Sequence, residues 1–516
     1  MSQPDPGRER AQDFFRLSKS KYLSGLQCHK RLYLELHSPE LATEPDEHTQ
    51  AILDMGTEVG ELARRRFPGG VLVESSHRQL AEALQRTTEL LEDPTVPAIF
   101  EGTFEFDHVL VRVDILERVT RGPEERPTWR VIEVKASTRV KDVHLDDLAI
   151  QTYVLRGAGL PVTASCLMHV NNQYVYPGSE LDLTDLFLVK DVTAAVSDRL
   201  STLSGQLAAM QGVAGNLSAP TIKPDAHCHE PYECPFWAHC TKDKPERWVY
   251  FLPESGAVHR QLAQAGIDTI DQIPDGFKLS TVQRRVKENV EWISPRLKAA
   301  LESVRHPVHH LDFETFMPAI PRIPMTRPYQ AIPTQWSNHI ELEDRRLHHD
   351  EYLCMEPKDP REEITVALLR SLGKDGTICV YSAYERHILE SLANTVPLLK
   401  DELKRVMTRL WDLLPVIREH YYHPHFRGSY SIKTVLPALV PTLHYGDLEI
   451  QEGGTAAVHY YRMVYEEMDW VEKLRIREAL LKYCQRDTLA MVEVRRDLLR
   501  RASEAAVIRS MPDRPG

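Results

Sequence analysis

No apolar run in this chain approaches the ~20 residues that a helix needs to cross a bilayer. Its opening stretch, MSQPDPGRERAQDFF, is polar and charged and holds none of the apolar core of a secretory signal. Both absences point away from the membrane and lead us to expect a cytoplasmic protein. Positive charge is also short: 63 Lys and Arg against 75 Asp and Glu leave a net charge of −12. No overall basic field therefore draws nucleic acid toward the chain, although a whole-chain sum hides local patches. Cysteine is scarce, with eight residues among 516. That is too few for a disulfide scaffold, and a reducing compartment would keep them as thiols. A cluster of cysteines in such a chain is read first as a metal site. No internal repeat is present.

Hydrophobic residues make up 42% and charged residues 27%, the balance of ordinary soluble domains. The length is enough for roughly three of them. Helical periodicity is expected over LSKSKYLSGLQCHKRLYLELHSPEL as one helix opening after Ser18 or Ser20, then over 47–67 and 76–93. The pattern turns to period two in AIFEGTFEFDHVLVRVDILERVT and, after the turn RGPEERPT, in WRVIEVKAST. A helix (HLDDLAIQTYVLRGAGL), a strand (TASCLMHVN) and helices over 184–212 follow. Residues 213–245 are irregular and rich in Cys, His and Pro. Several short helices over 255–303 read as a connector, a packing segment in preference to a nucleic-acid clamp. From 307 a second α/β block begins. Its strands are VHHLDFET, QWSNHIEL, LHHDEYLCM and TICVYS, its helices EEITVALLRSL and AYERHILESLA, and a long helix over 471–503 closes it.

Asp114 lies on the predicted strand VRVDILE, and VIEVKAS puts Glu133 and Lys135 two residues apart on one strand face. Two carboxylates from neighbouring strands hold a hard divalent ion such as Mg²⁺ or Mn²⁺. Water on that ion has a lowered pKa and becomes a nucleophile. The lysine orients this water or offsets charge on a pentavalent phosphate. An E-x-K triplet by itself is more often an exposed ion pair worth little. Asp114 upstream on a hairpin, with Gln151 and Tyr153 on the next helix, tips the reading toward chemistry. The order D, E-x-K, then a Gln/Tyr helix resembles the PD-(D/E)XK nucleases of the RecB-like group, with matching positions Asp114, Glu133, Lys135 and Gln151, and Tyr153 nearby. The resemblance implies a restriction-endonuclease-like fold and cleavage of nucleic acid, single-stranded DNA favoured. The chain departs from it in MGTEVGELA, where Gly60 stands in place of a His that many members carry on an early helix.

The segment AHCHEPYECPFWAHC spaces Cys228, Cys234 and Cys240 evenly, with Cys28 far away in GLQCHKRLYL. Four thiolates at such spacing suit an iron–sulfur cluster. Zinc, with His227, His229 or His239 among its ligands, is the alternative, and free thiols are a third reading. One distant cysteine and three clustered after the nuclease core resemble the CRISPR-associated RecB-like exonucleases of the Cas-four type. That resemblance implies a 4Fe–4S cluster stapling the N-terminal helix to the end of its domain. Cys166, Cys354, Cys379 and Cys484 sit in apolar patterns and are expected in the core.

In HHLDFETFM, Asp312 and Glu314 share one face of a strand, roughly 6.6 Å apart at about 3.3 Å per residue. Two like charges so placed repel unless a cation joins them. Far downstream, LLKYCQRDTLAMV sets Tyr483 and Asp487 four apart, one turn along a helix, and VYSAYERHIL puts Glu385 in the first turn of another. Four acids can converge on two divalent ions roughly 3.5–4 Å apart, one activating water and the other steadying the leaving 3′ oxygen. The three motifs in this order resemble the DEDD exonucleases on the RNase H-like fold: Asp312 and Glu314 match D-x-E, and Tyr483 and Asp487 match Y-x-x-x-D, the tyrosine subtype. The second motif departs, with Tyr384-Glu385 in place of Phe-Asp. Asp412 is a rival to Glu385 in that role.

The expected fold class is α/β throughout. A restriction-endonuclease-like domain with its Cys cluster spans 1–245, a helical connector 246–303, an RNase H-like domain 304–503 and a loose tail 504–516. The expected activity is metal-dependent hydrolysis of phosphodiesters at two sites, with Mg²⁺ or Mn²⁺ and a 4Fe–4S cluster as cofactors. In a second version the RecB-like half only binds nucleic acid.

Overall fold

The computed structural model describes residues 15–74, 79–119, 127–253 and 256–510. It divides into two units: Met1–Asp243 with Ala319–Pro328, and Lys244–Pro318 with Tyr329–Gly516. It is mixed α/β, as expected.

In the first unit the period-two segment from 98 is a hairpin of β1 (Ala98–Phe106) and β2 (Val109–Val119). Asp107 and His108 turn it, both with positive φ (50° and 58°), the backbone a two-residue type I′ turn requires. β3 (Thr128–Lys135) pairs antiparallel with β2. The predicted turn before it lies largely outside the described residues. The Asp142–Gly157 helix then crosses to β4 (Val162–Val170), which runs parallel to β3. Parallel neighbours need such a crossover. β5 (Phe187–Asp191), not anticipated from the sequence, closes that edge antiparallel to β4. Val71–Leu72 extends the other edge, and Leu17–Ser18 pairs with β2. Along β2, Val109, Val111, Val113 and Ile115 are all buried on one face, the alternation of a strand covered on its inner side.

The N-terminal periodicity resolves into two helices, Lys19–Gln27 and His29–His37, instead of one. Ser18 caps the first, its Oγ accepting from Lys21 N at 3.3 Å. Cys28 is extended (φ −162°, ψ 121°) and breaks the helical run. Residues 319–328 belong to this unit, tied in by paired backbone bonds between Tyr176 and the segment (Met325 N to Tyr176 O, 2.7 Å; Tyr176 N to Thr326 O, 2.9 Å). Nothing in their composition announces that.

The second unit holds a five-stranded sheet. β6 (Val308–Phe316), β7 (Ile332–Glu341) and β8 (Leu347–Leu353) form an antiparallel meander. β9 (Thr377–Val380) lies on the other side of β6 and parallel to it, with β10 (Leu410–Asp412) parallel beyond it. Leu311 and Phe313 face a core built with Trp336, Ile364, Leu368 and Leu389. The alternate residues of β6, including Asp312 and Glu314, lie on the opposite face. The Trp470–Ser510 helix packs over β7: Gln335 Nε2 donates to Leu480 O at 2.8 Å, and Ser337 Oγ lies 2.7 Å from Thr488 Oγ1. A buried pair, Arg495 Nη1 to Glu341 Oε2 at 2.8 Å, fastens the same helix farther along.

Two boundaries move. The expected connector belongs to the second unit, where Trp292–Ile293 pairs with Tyr421–Tyr422. The expected tail is helical to Ser510, because 504–510 (EAAVIRS) prolong a pattern of strong helix formers. Residues 511–516 lie outside the described residues. Tyr421, Tyr422 and Phe426 are fully buried, so YYHPHF is a packed segment. In RRRF, Arg64 pairs with Glu101 and Arg66 donates to Phe187 O.

Candidate functional site

The antiparallel register of β2 and β3 makes Asp114 and Glu133 neighbours, with Asp114 Oδ2 accepting from Val134 N at 2.8 Å. Lys135 Nζ stands 2.5 Å from Glu133 Oε1, and Gln151 Nε2 donates to Glu133 Oε2 at 2.7 Å. Two further members complete the group. Asp147, one turn before Gln151 on the same helix face, accepts from Lys135 Nζ at 2.7 Å and from Gln151 Nε2 at 2.8 Å. Lys19, at the start of the Lys19–Gln27 helix, reaches Glu133 Oε1 and Oε2 at 2.9 and 3.1 Å and Asp147 Oδ1 at 3.3 Å. The i, i+4 spacing could have found Asp147. No local pattern reveals that Lys19, 114 residues from Glu133, ends up beside it.

Burial, followed by the charge of Glu133, pushes Asp114 up to about 7. Burial acts on Glu133 in the same direction, yet Lys135 and Lys19 hold its carboxyl well below the usual range. Burial opposes the charge on Lys19, but Glu133, Asp147 and Asp114 keep its ammonium well above the usual lysine value. Tyr153 stands apart from this group. Its hydroxyl donates to Asp107 Oδ2 at 2.8 Å and its ring packs edge-on to Phe106. Two residues beyond Gln151 is about 200° around a helix, which turns it to another side.

The Glu47–Arg64 helix packs against β3. Gly60 lies inside it, with open space where a Cβ would stand. Gly60→Ala is therefore expected to stabilise the protein by about 1 kcal/mol, the helix-propensity difference, read from thermal unfolding. A destabilised variant would mean that glycine itself is required there.

Cys28, Cys228, Cys234 and Cys240 gather although Cys28 is 200 residues from Cys228. Burial, with the charges of the other three thiols adding to it, raises Cys228 to about 11, and Cys28 and Cys240 likewise act on Cys234. Leu34, Phe236, Tyr33 and Trp237 surround them. Gln27 Nε2, next to Cys28, donates to His227 O at 2.8 Å and Tyr232 O at 2.7 Å, holding the two segments together.

In the second unit Asp312, Glu314, Glu385 and Asp487 converge from β6, the first turn of the Tyr384–Thr395 helix and the Trp470–Ser510 helix. Burial raises Asp312 well above the usual range, and Asp487, Glu314 and Glu385 all add to it. Burial and then Asp487 do the same for Glu314. Burial with the neighbouring Asp412 lifts Glu385 to about 7, and burial lifts Asp487 to about 6 against the pull of Tyr445. Glu385 Oε2 is buried without a hydrogen-bond partner. Asp412, the rival, spends its carboxylate on the next helix, Oδ1 accepting from Leu414 N at 3.0 Å.

Tyr483 is buried beside Asp487. Three residues here escaped the sequence reading. Tyr445 donates to Asp487 Oδ1 at 2.5 Å. Lys433 Nζ lies 5.3 Å from the Tyr483 ring and is the cation that lowers both Glu314 and Asp487. Cys484 is buried as expected, but its Sγ is 3.8 Å from Asp312 Oδ2. Asp312, Glu314 and Cys484 offer ligand atoms mutually within 4.8 Å. The other three single cysteines are core residues.

A family described as a domain of unknown function, DUF2779, matches residues 309–431. The match takes in Asp312, Glu314 and Glu385 and stops before Lys433, Tyr483 and Asp487. No curated protein matches the chain.

Proposed function

We propose that this protein is a metal-dependent nuclease of the RecB-like and DEDD kinds in one chain, hydrolysing phosphodiesters of DNA or RNA, with its second-unit acids as the principal active site. The observation that carries this reading is the gathering of half-buried Asp312 and Glu314 with buried Glu385 and Asp487, the Glu385 Oε2 atom being unpartnered. Four acids with raised pKa values are costly unless cations share them. Oxygen donors of this kind fit Mg²⁺ or Mn²⁺. Such ions, held by the four acids, would supply an activated water and a clamp on the leaving oxygen. Tyr483 is then placed to orient the attacking water. Lys433 adds a positive charge where a substrate phosphate would approach. An antiparallel meander followed by two strands parallel to its first strand supports the RNase H-like reading of this unit. A hairpin, a third strand, a crossover helix and a parallel fourth support the restriction-endonuclease-like reading of the other.

The four thiols fit a 4Fe–4S cluster. Cys28 is brought to Cys228, Cys234 and Cys240, which lie among Leu34 and Phe236, and such a cluster would bind each thiolate at a separate iron.

The purified chain with Mn²⁺ should shorten 5′-labelled single strands from the 3′ end, and a chelator should stop it. Glu133→Gln separates the two versions of the first site. Unchanged cleavage of every DNA and RNA substrate would leave the N-terminal unit a binding module. If the protein cuts nothing under these conditions, the nuclease reading falls.

A further inference from the structure

In the N-terminal unit three acids, Asp114, Glu133 and Asp147, meet two ammonium groups, Lys19 and Lys135. Both oxygens of Glu133 accept from Lys19, and Asp147 is bridged to Glu133 by Lys19, Lys135 and Gln151 alike. Among the described residues no ion pair joins Asp114 to either lysine. Gln151 turns its Nε2 to both carboxylates and leaves its Oε1 buried without a hydrogen-bond partner. With all three carboxyls ionised, as a bound cation requires, the local charge is −1. One divalent ion brings it to +1, but two would bring it to +3 in a site where Glu133 is 1% exposed, a heavy electrostatic cost at low dielectric. Lys19 does not reach this place by chance of a floppy side chain. It begins a helix capped by Ser18, its side chain is 23% exposed, and the strand Leu17–Ser18 before it is fixed on β2.

We propose that Lys19 is the resident cation of this site, standing on Glu133 and Asp147 where one of two divalent ions would otherwise sit, so that the site takes a single ion at Asp114 and Glu133. The inference rests on reading these acids as a metal site. It makes Lys19 a positioning residue that holds the two carboxylates in register and sets how many ions enter.

The test uses the full chain carrying Asp312→Asn and Glu314→Gln, to weaken Mn²⁺ binding in the second unit. Mn²⁺ binding is followed by the electron paramagnetic resonance of free ion, and unfolding by calorimetry. Lys19→Met should unfold at lower temperature than its parent without divalent ions, bind Mn²⁺ at least about tenfold more tightly, and recover its lost melting temperature when Mn²⁺ is added. Lys19→Arg should behave as the parent. Lys19→Gln, which keeps hydrogen-bond donors, is measured beside the methionine variant in case the latter does not fold. Mn²⁺ affinity unchanged in both uncharged variants, with no thermal recovery, overturns the inference. Glu133→Gln tells the two failures apart. If it weakens Mn²⁺ binding while the Lys19 variants change nothing, the inference alone falls. If it changes nothing in any background, the acids are not a metal site and the reading beneath falls as well.

Discussion

Asp312→Asn should reduce divalent-dependent 3′→5′ cleavage by about 10³-fold or more, and in divalent-free buffer it should make the protein harder to melt. The first effect follows from losing one of the carboxylates on which the ions depend, a loss on the scale of removing a main electrostatic stabiliser of a transition state. The second follows from charge. Asp312 is surrounded by Asp487, Glu314 and Glu385, each of which raises its pKa beyond what burial does. Above neutrality all four are pressed toward ionisation together, and removing one relieves repulsion worth about 1–2 kcal/mol, a few degrees in melting temperature. The pH dependence has a definite sign. These acids have folded pKa values above the unfolded ones, so the stability they contribute is present at low pH and is lost as pH rises through about 6 for Asp487 and about 7 for Glu385. Buried His309, His310 and His339, lowered by burial to about 4, 3 and 3, act oppositely and only below the ordinary histidine value. Between pH 6.5 and 8 the ion-free wild type should therefore lose melting temperature, and Mg²⁺ or Mn²⁺ should flatten that slope. Asp312→Asn should show less of the slope and less of the rescue. A variant as active as wild type, or one destabilised with and without metal alike, would refute the metal centre.

Cys234→Ser should remove the brown colour and visible absorbance of anaerobically purified protein and lower the stability of the N-terminal unit by about 5 kcal/mol. The figure is that of closing a loop of roughly two hundred residues in a chain-entropy account; the span from Cys28 to Cys228 is of that size. Calorimetry should show the N-terminal transition shifting far down while the second unit's transition stays. Because the Lys19–Gln27 helix ends at Cys28, loss of the cluster should also loosen Lys19 from Glu133, which amine labelling read by mass spectrometry would detect as new reactivity at Lys19. Colourless protein holding one zinc per chain would replace the iron–sulfur assignment.

Much of the candidate chemistry was legible because it rides on local periodicity. Asp312 and Glu314 stand out since alternation sorts β6 into an apolar face and an acidic one, and Tyr483 and Asp487 because one helical turn separates them. Glu385 was readable from its place at a helix start. Periodicity is also what misled. It runs unbroken through Cys28, so the two N-terminal helices looked like one, and it places Tyr153 near Gln151 in sequence while the helix turns the two apart. Lys19, Lys433 and Tyr445 left no trace because each meets its partners across a long stretch of chain. A tertiary encounter of that kind has no local signature.

The excursion of 319–328 into the N-terminal unit bears on dissection. The polypeptide passes between its two units three times, at 243, 318 and 328, so no single scissor point yields two whole halves. A gene fragment beginning at 244 would carry ten residues belonging to the absent half, and one ending at 243 would want them. A cut at any one point therefore parts one unit from a segment that packs with it.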